Sequence, residues 1–493
     1  MRGLLRSLAV VVVGAGLVLG ATYLPAPVNL AQGSRPGPPT QAARAEPVSQ
    51  TQSICPGPEA LGIEGLPDSL AQSVSVVAVG APVASLPSGF AVRQGDGSIT
   101  ISGLPSGGER ATPITARGQV LSGQISTASS ALITGAGAMA PGTVATQWSW
   151  TRTGERRGLV TAACMPAAAS SWLIAGGAGP GRLERLVLTN PGPNPVTVDL
   201  TVLGVKGEIE SPNGHRLVVG GHARAVVLLD AIAGAEQSPV VHVTAQGGEV
   251  SAVLSDSWLE GIVPRGGDDT VTVAAPAREQ VIAGVPIEGR TILRVAVPGD
   301  SEAVLESRVL TPSGPRALPS DGVTRVAGHS TKDIDLSSLP PGAYAVQVRG
   351  DVPVVAAVMV DRRRAAGAPS DLAWSVASVP IRELAGMALP ASGVKGVIQR
   401  LDLVATKDPA SVLVTTVGAG GRISTREVAI GADSVSTLSL SDATSVWVTP
   451  RGGLVRAAVL TTVTDVGGVL LSLTPLADLP LTTTPLALRE LAD

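Results

Sequence analysis

Histidine is the side chain best placed to act as a general base near neutral pH, and this sequence has four of them: His215, His222, His242 and His329. Hydrolysis by a nucleophile also needs that nucleophile and an orienting group beside the base. His242 falls within an alternating apolar segment, and the other three lie in or beside polar turns. The sequence contains no G-x-S-x-G, HExxH or P-loop motif. We therefore predict no catalytic residues and a protein that is not an enzyme.

Metal and cofactor sites are also not predicted. The pair Asp268-Asp269, and Asp300 with Glu302, fall in predicted turns, where we expect solvated charges, because a calcium site needs six or more oxygens. The Gly-rich stretch 176–181 leads into a strand, so it lacks the helix N-terminus that a dinucleotide requires.

Two cysteines, Cys55 and Cys164, are the strongest candidates for a covalent link. An even pair in an exported protein is normally a disulfide, although two free buried thiols remain an alternative. The bridge would close a loop of about 110 residues, which the chain-entropy model values at up to about 4–5 kcal/mol. We expect it to join the entry and the exit of the first folded segment.

Two other motifs have both a structural and a functional interpretation. Trp148 and Trp150 alternate on one predicted strand, so their rings share a face and could contact a sugar ligand, or else fill the core. Arg349-Gly350-Asp351 has the form of an integrin-binding tripeptide, but other repeats carry similar Gly-containing polar residues there. A turn explains that motif better.

The N-terminus predicts export. Arg2 and Arg6 are followed by an uncharged run from Leu8 to Leu24, which is a positive region followed by an apolar one. We favour an uncleaved signal anchor over 1–24 with its Arg end cytoplasmic, and a cleaved signal peptide is the alternative. Residues 25–53, rich in Pro and Ala, predict a linker.

Composition restricts the partners and the fold class that the rest of the chain can have. Charged residues make up 15% and the net charge is −3, which argues against nucleic acid as a partner. The apolar residues are mostly Val, Ala and Leu, and aromatics are 2%, which favours strands. Arg far outnumbers Lys, as in proteins encoded by GC-rich bacterial genomes.

Internal repeats predict the fold. Segments that begin at Trp172, Gln280 and Glu383 recur at a period of about 100 residues, each with about seven or eight alternating apolar strands joined by turns every 8–12 residues or so. Late in each repeat we expect a hairpin with Gly at its turn, at 246–249, 349–351 and 450–453. Short strands at this spacing are typical of an immunoglobulin-like sandwich. The predicted fold is all-β: tandem immunoglobulin-like β-sandwich repeats after an N-terminal transmembrane or signal helix.

The predicted boundaries follow from these repeats. They are a divergent β-domain at 54–165, sandwich repeats at 166–279, 280–382 and 383–480, and a C-terminal tail at 481–493.

Several short motifs resemble a known family. They are the Cys55-Pro56-Gly57-Pro58 entry, the approach from Arg157 to Cys164, and Trp172 followed by Leu186 to Pro191. With the N-terminal anchor, they are similar to an actinobacterial family of secreted, membrane-anchored proteins of unknown function. The resemblance implies an envelope location and carries no catalytic residues.

These features together predict a non-enzymatic cell-envelope protein that is tethered to the membrane by its N-terminal helix, or secreted if that helix is cleaved. The stacked repeats would project outward as a rod that serves as a scaffold or interaction module for another envelope protein. The alternatives are a protein that binds cell-wall polysaccharide, through Trp148 and Trp150, and an envelope hydrolase.

Overall fold

The structure is a computed structural model that describes residues 45–59, 73–92, 95–105, 111–318, 322–363, 367–389, 394–465 and 467–483. The predicted helix at 1–24, most of the linker and most of the tail lie outside these residues. In the described part, no helix has the length and apolarity needed to cross a membrane. Residues 47–483 form one compact unit, and the description below concerns that unit.

The described chain is all-β, as predicted, because its segments alternate apolar and polar residues at the period of a strand. Val196, Val198, Leu200 and Val202 are all buried, and the residues between them are half-buried. The same alternation recurs along most strands. The strands form pairs of sheets that enclose apolar cores, and each pair is built from one stretch of chain. We refer to these pairs as the first to fourth sandwich.

The first sandwich packs sheet β2-β6-β4 on sheet β5-β3-β7-β8 around buried residues such as Val76, Ile99 and Ile133. A short strand β1 precedes it. The strands are β1 (Glu46–Pro47), β2 (Gln50–Cys55), β3 (Val74–Gly80), β4 (Gly97–Leu104), β5 (Val120–Ile125), β6 (Ser130–Gly137), β7 (Thr143–Thr151) and β8 (Gly158–Ala163).

The second sandwich packs sheet β14-β10-β16-β17 on sheet β12-β11-β15-β9, with β13 also on β11. Its strands are β9 (Ser170–Ile174), β10 (Arg182–Asn190), β11 (Val196–Gly204), β12 (Gly207–Ile209), β13 (Leu217–Val219), β14 (Ala223–Leu228), β15 (Val240–Gln246), β16 (Ser251–Glu260) and β17 (Val263–Thr270). One helical turn, α1 (Asp230–Ala233), follows β14.

In the third sandwich one long strand, β24, takes part in both sheets. The strands are β18 (Ala277–Ile287), β19 (Arg290–Ala296), β20 (Ala303–Thr311), β21 (Gly314–Ala317), β22 (Val323–Val326), β23 (Thr331–Asp335), β24 (Gly342–Asp361) and β25 (Leu372–Val376). The first half of β24 pairs with β18 and β20, and its second half pairs with β19 and β25.

The fourth sandwich packs sheet β26-β31-β28-β29 on sheet β30-β27-β32-β33. Its strands are β26 (Ala385–Ala388), β27 (Val397–Ala405), β28 (Ala410–Gly418), β29 (Ile423–Ile430), β30 (Ser434–Ser439), β31 (Ala443–Gly452), β32 (Val455–Asp465) and β33 (Gly468–Pro475), and the short β34 (Thr482–Thr483) follows.

The hairpins predicted late in each repeat are wrong. β15 and β16 belong to opposite sheets, as do β31 and β32, so the Gly-containing segment between them crosses from one sheet to the other. Arg349-Gly350-Asp351 lies inside the continuous β24 and makes no turn. The strands on either side pair with other strands instead of with each other, because each sheet supplies an apolar face to the shared core.

The four sandwiches contact one another in a closed cycle, so the expectation of an extended rod is also wrong. Four edge strands, β8, β17, β25 and β33, meet along a common line: β8 contacts β17 and β33, and β25 contacts the same two strands. We call them the axial strands. Apolar clusters span the junctions between sandwiches. The third and fourth sandwiches share Ala283 and Val404, and the fourth and first share Trp447 and Val79.

Candidate functional site

The axial strands bring buried polar side chains together where four sheet edges meet. An exposed sheet edge presents unpaired N–H and C=O groups. Here the carboxylates of Asp268 and Asp371, both at most 2% exposed, accept hydrogen bonds from the backbones of neighbouring axial strands. The axis is therefore held by hydrogen bonds from one sandwich to another.

Asp371 immediately precedes β25 and links three axial strands. Its Oδ2 accepts hydrogen bonds from the backbone amides of Leu159 in β8, at 3.3 Å, and Leu471 in β33, at 2.9 Å. Its Oδ1 accepts one from the amide of Leu372 at 3.1 Å. Burial raises the pKa of Asp371 well above its usual range, and this outweighs the lowering by these amides.

Asp268, in β17, accepts hydrogen bonds from two other axial strands, β25 and β33. Its Oδ2 accepts a hydrogen bond from the amide of Trp374 at 2.7 Å, and its Oδ1 accepts one from the Ser472 hydroxyl at 3.2 Å. Ser472 in turn accepts from the backbone amide of Thr161 in β8 at 2.9 Å. Burial raises the pKa of Asp268 well above its usual range.

A glycine allows β17 to approach this carboxyl cluster. Gly266 has a φ of +100°, and a Cβ built there would lie 2.0 Å from Oδ1 of Asp371. Only glycine fits a position that combines a positive φ with such a close approach.

A second buried charged group ties the second sandwich to the third. Arg182 donates to both oxygens of Asp256, at 2.8 and 2.6 Å, and the indole N–H of Trp374 donates to Oδ2 of Asp256 at 2.8 Å. Burial raises the pKa of Asp256, but Arg182 and the hydrogen bonds from Trp374 and Gly176 together lower it by more, so the net pKa is below the usual value. Burial and the neighbouring Asp256 raise the pKa of Glu184 to about 7.

Asp269, beside Asp268, faces the first sandwich instead. Its Oδ2 accepts a hydrogen bond from the Gln147 amide at 3.2 Å. Burial, and then the charge of Glu59, raise its pKa to about 7.

Two apolar cavities lie where the sandwiches meet. The larger, of about 330 Å³, is bounded by the first sandwich and by the chain around the end of the fourth. We call it the junction cavity. The smaller, of about 250 Å³, is lined by the ends of axial strands and the segments that follow them, including Val273, Val376 and Leu476. We call it the axial cavity. The two share Met165, Pro475 and Ala477 as a common wall.

The predicted disulfide is present. Cys55, at the end of β2, and Cys164, just after β8, are bonded with their Cα atoms 4.3 Å apart. Cys55 is completely buried in the core of the first sandwich, and Cys164 lines the junction cavity. Disulfides are typical of proteins that fold outside the cytoplasm.

Trp148 and Trp150 lie on one face of β7, as their spacing requires, and they are half-buried. Both pack against Leu159, Val463 and Leu470, at the junction of the first and fourth sandwiches. The guanidinium of Arg152 lies 4.2 Å from the centre of the Trp150 ring. Their role as ligand contacts stays a prediction.

The histidines do not come together. His242 lies in a strand, β15, as expected, where it stacks on Trp172 with 4.1 Å between ring centres. His329 contacts Asp300 at 2.6 Å on the surface, and His215 lies beside Asp199. Among the described residues, no group of three or more His, Cys, Asp or Glu side chains is placed to hold a metal ion.

The expectation for Asp268-Asp269 is wrong, whereas that for Asp300 and Glu302 holds. The first pair lies in β17 and is buried, while the second pair is exposed. The sequence does contain a signal for this burial. Asp268-Asp269 directly precede an alternating apolar run, 270–273, and residues beside such a run can belong to a strand and be buried against another element.

Comparison with known proteins identifies a family for this chain. A family model described as a family of unknown function, DUF5719, matches residues 120–441, which is more than half of the sequence. The chain belongs to this family. The DUF5719 region begins at β5 and ends just before β31, so it includes strands of all four sandwiches, three axial strands, Asp268 and Asp371.

Other comparisons add little. No curated protein matches this DUF5719 chain. A solved structure described as the tetra-tandem repeat in the extending region of a large adhesion protein is 16% identical and covers 87% of this chain and 100% of its own. Its TM-score of 0.09 means that the two do not superpose, and nothing follows from it.

Proposed function

We propose that this protein is a non-enzymatic component of the cell envelope that acts as a scaffold or interaction module, tethered to the membrane by residues 1–24. The proposal includes an actinobacterial source and sandwich repeats of the immunoglobulin-like class. The apolar N-terminal run, the disulfide and the short family-like motifs support it.

One observation carries the scaffold role. The four sandwiches are joined by buried hydrogen bonds and apolar clusters at their junctions, so the whole body should move as one piece. A body of this kind holds surface positions at fixed distances from one another, which is what a scaffold must do. Loops that protrude from it are then the natural contact points, since a rigid base positions them.

The tip between β16 and β17 is one such point. Ile262 is 89% exposed there. We use Ile262 as the accessible position from which a partner at this tip can be detected.

Location and partner can be tested in one strain. The full chain, expressed in an actinobacterium, should be labelled in whole cells by a membrane-impermeant amine reagent and should remain with membranes after a salt wash. A photo-crosslinking amino acid at Ile262 should give one discrete adduct, and the same residue at Ala429, an exposed position in β29, should not. Cytoplasmic recovery of the chain, or identical adducts at both sites, would overturn the proposal.

Sedimentation distinguishes binding to the cell wall from binding to a protein partner. Residues 45–493 contain every described strand and both cysteines. Saturable pelleting of this fragment with insoluble wall polysaccharide, lost in Trp148→Ala and Trp150→Ala variants that still fold, would favour the polysaccharide-binding alternative over a protein partner.

A further inference from the structure

The junction cavity has the size and lining of a ligand site. Pockets for small molecules measure about 300–1,000 Å³ and are mostly apolar with a few polar groups. The junction cavity, at about 330 Å³, lies at the low end of this range. Its walls come from β2, β7, the segment after β8, β26 and the chain after β33; the apolar residues among them include Val144, Met165, Met387, Pro475 and Leu479.

One half-buried carboxylate supplies a polar contact in this lining. Asp478 lies among the otherwise uncharged residues that line the junction cavity. An ionised carboxylate accepts hydrogen bonds and donates none. It therefore suits a ligand that presents a hydroxyl donor.

The shape of the apolar space favours an elongated ligand. The junction and axial cavities share Met165, Pro475 and Ala477, and the axial cavity is also lined by Val and Ala side chains. Methionine is flexible and adapts to irregular apolar ligands. A single aliphatic chain that enters the junction cavity could therefore extend along this wall.

Charge excludes the commonest lipid head groups. Among the described residues that line the two cavities, none is Arg, Lys or His, and the only charged one is Asp478. The Asp478 carboxylate is held by the backbone amides of Arg382, at 2.9 Å, and Glu383, at 3.3 Å. A carboxylate or phosphate head group would meet a like charge and no cation, which is unfavourable in an apolar site.

We propose that the junction cavity binds a neutral single-chain lipid that carries a hydroxyl group, such as a long-chain alcohol or a monoacylglycerol. The chain lies against the wall of Met165 and Pro475, and the ligand hydroxyl donates a hydrogen bond to the Asp478 carboxylate. This inference goes beyond the scaffold role and is independent of it.

The test uses residues 45–493, because the compact unit 47–483 contains the four sandwiches, the disulfide and all the cavity walls. The neutral fluorescent probe N-phenyl-1-naphthylamine should bind saturably at one site. Dodecanol and monolauroylglycerol should displace it at concentrations at least about tenfold lower than dodecanoate at pH 8, since an apolar site rejects an unpaired charge.

Two variants locate the site. Ala477→Phe fills the shared wall and should abolish probe binding, whereas the matched Ala429→Phe, on the exposed face of β29, should leave it unchanged. Asp478→Asn keeps the shape but removes the charge, and it should reduce the preference for dodecanol over dodecanoate about three- to tenfold while leaving probe binding intact. Thermal unfolding shows whether each variant is folded.

Three results would overturn the proposal. Equal displacement by dodecanol and dodecanoate, or probe binding that survives in folded Ala477→Phe, would exclude this ligand class at this cavity. Probe binding that occurs only after removal of 484–493 would make the chain itself the occupant, which also overturns the proposal. Loss of scaffold activity in cells with probe binding intact would affect the proposed function alone.

Discussion

The Asp371 carboxylate accepts a hydrogen bond from the Leu471 amide at 2.9 Å, although the two residues are 100 positions apart in the chain. The same oxygen accepts from Leu159, so one side chain of the third sandwich holds both the first and the fourth. The amides would otherwise be buried donors without acceptors, which cost about 1–3 kcal/mol each. Asp371 therefore stabilises the contacts among three of the sandwiches directly.

Removal of this carboxylate should lower the stability of the whole body. Asp371→Ala leaves the amides of Leu159 and Leu471 without an acceptor, and we expect the free energy of unfolding to fall by roughly 2–5 kcal/mol. Asp371→Asn retains one acceptor oxygen and should lose less. Denaturant unfolding of residues 45–493 measures both. Asp351→Ala, at an exposed position, is the control, and an equal loss there would contradict this role for Asp371.

Stability should also depend on pH through Asp269. Its pKa is raised from 3.8 to about 7, so the folded protein holds this proton more tightly than the unfolded chain does. Stability contributed by this group is therefore lost as pH rises from about 4 to about 7. Asp269→Asn removes this titrating group. The melting temperature of the variant should therefore fall less, as the pH rises, than that of the wild type.

Burial also raises the pKa values of three other carboxyls, those of Glu184, Asp268 and Asp371. In the Asp269→Asn variant these groups should still lower the melting temperature as the pH rises. Asp408→Asn, on an exposed turn, serves as the control. A wild-type melting temperature that rises from pH 4 to 7 would contradict the raised pKa values.

The disulfide should contribute substantially to stability. Cys55 and Cys164 are 109 positions apart, and a cross-link over a loop of this length is worth about 2–5 kcal/mol. The double variant Cys55→Ala with Cys164→Ala should lose this amount in denaturant unfolding. A reducing agent should destabilise the wild type to the same extent and leave the double variant unchanged. If the reductant affects both proteins equally, the loss does not come from this bond.

The indole of Trp374 should be worth more than an indole at the surface. Its N–H donates to the buried Asp256 carboxylate at 2.8 Å, whereas that of Trp258 donates to the Pro180 carbonyl at 3.2 Å at an exposed site. Trp374→Phe should cost about 1.5–3 kcal/mol, as expected for a hydrogen bond to a charged group, and Trp258→Phe under about 1. Equal losses in thermal unfolding would show that the carboxylate contact adds nothing.

The sequence predicts the strands well because their determinants are local. Alternation in 196–202 places Val198 and Leu200 inside a sandwich, and β11 covers those residues. The connections depend on distant partners. A Gly-containing polar segment suits a hairpin, a crossing between sheets or the interior of a long strand. The sequence therefore predicts hairpins at 246–249 and 349–351, whereas the first segment crosses between sheets and the second lies inside β24.

The candidate site shows the same division. The disulfide follows from the number and context of Cys55 and Cys164. The burial of Asp268 does not follow from its neighbours, because it results from the approach of β25 and β33 from other sandwiches. The junction cavity likewise combines residues near 50, 145, 165, 387 and 478, and no local pattern brings these together.

Closure also decides how the body carries a mechanical load. The amide of Val48 donates to the carbonyl of Leu481 at 3.0 Å, so the chain enters and leaves the compact unit at neighbouring points. Tension between these two ends falls on the short segments beside them and does not stretch the four sandwiches in series. For a partner bound at Ile262, as proposed, tension from either end would instead cross from the first sandwich to the second, where the buried Asp269 accepts a hydrogen bond from Gln147.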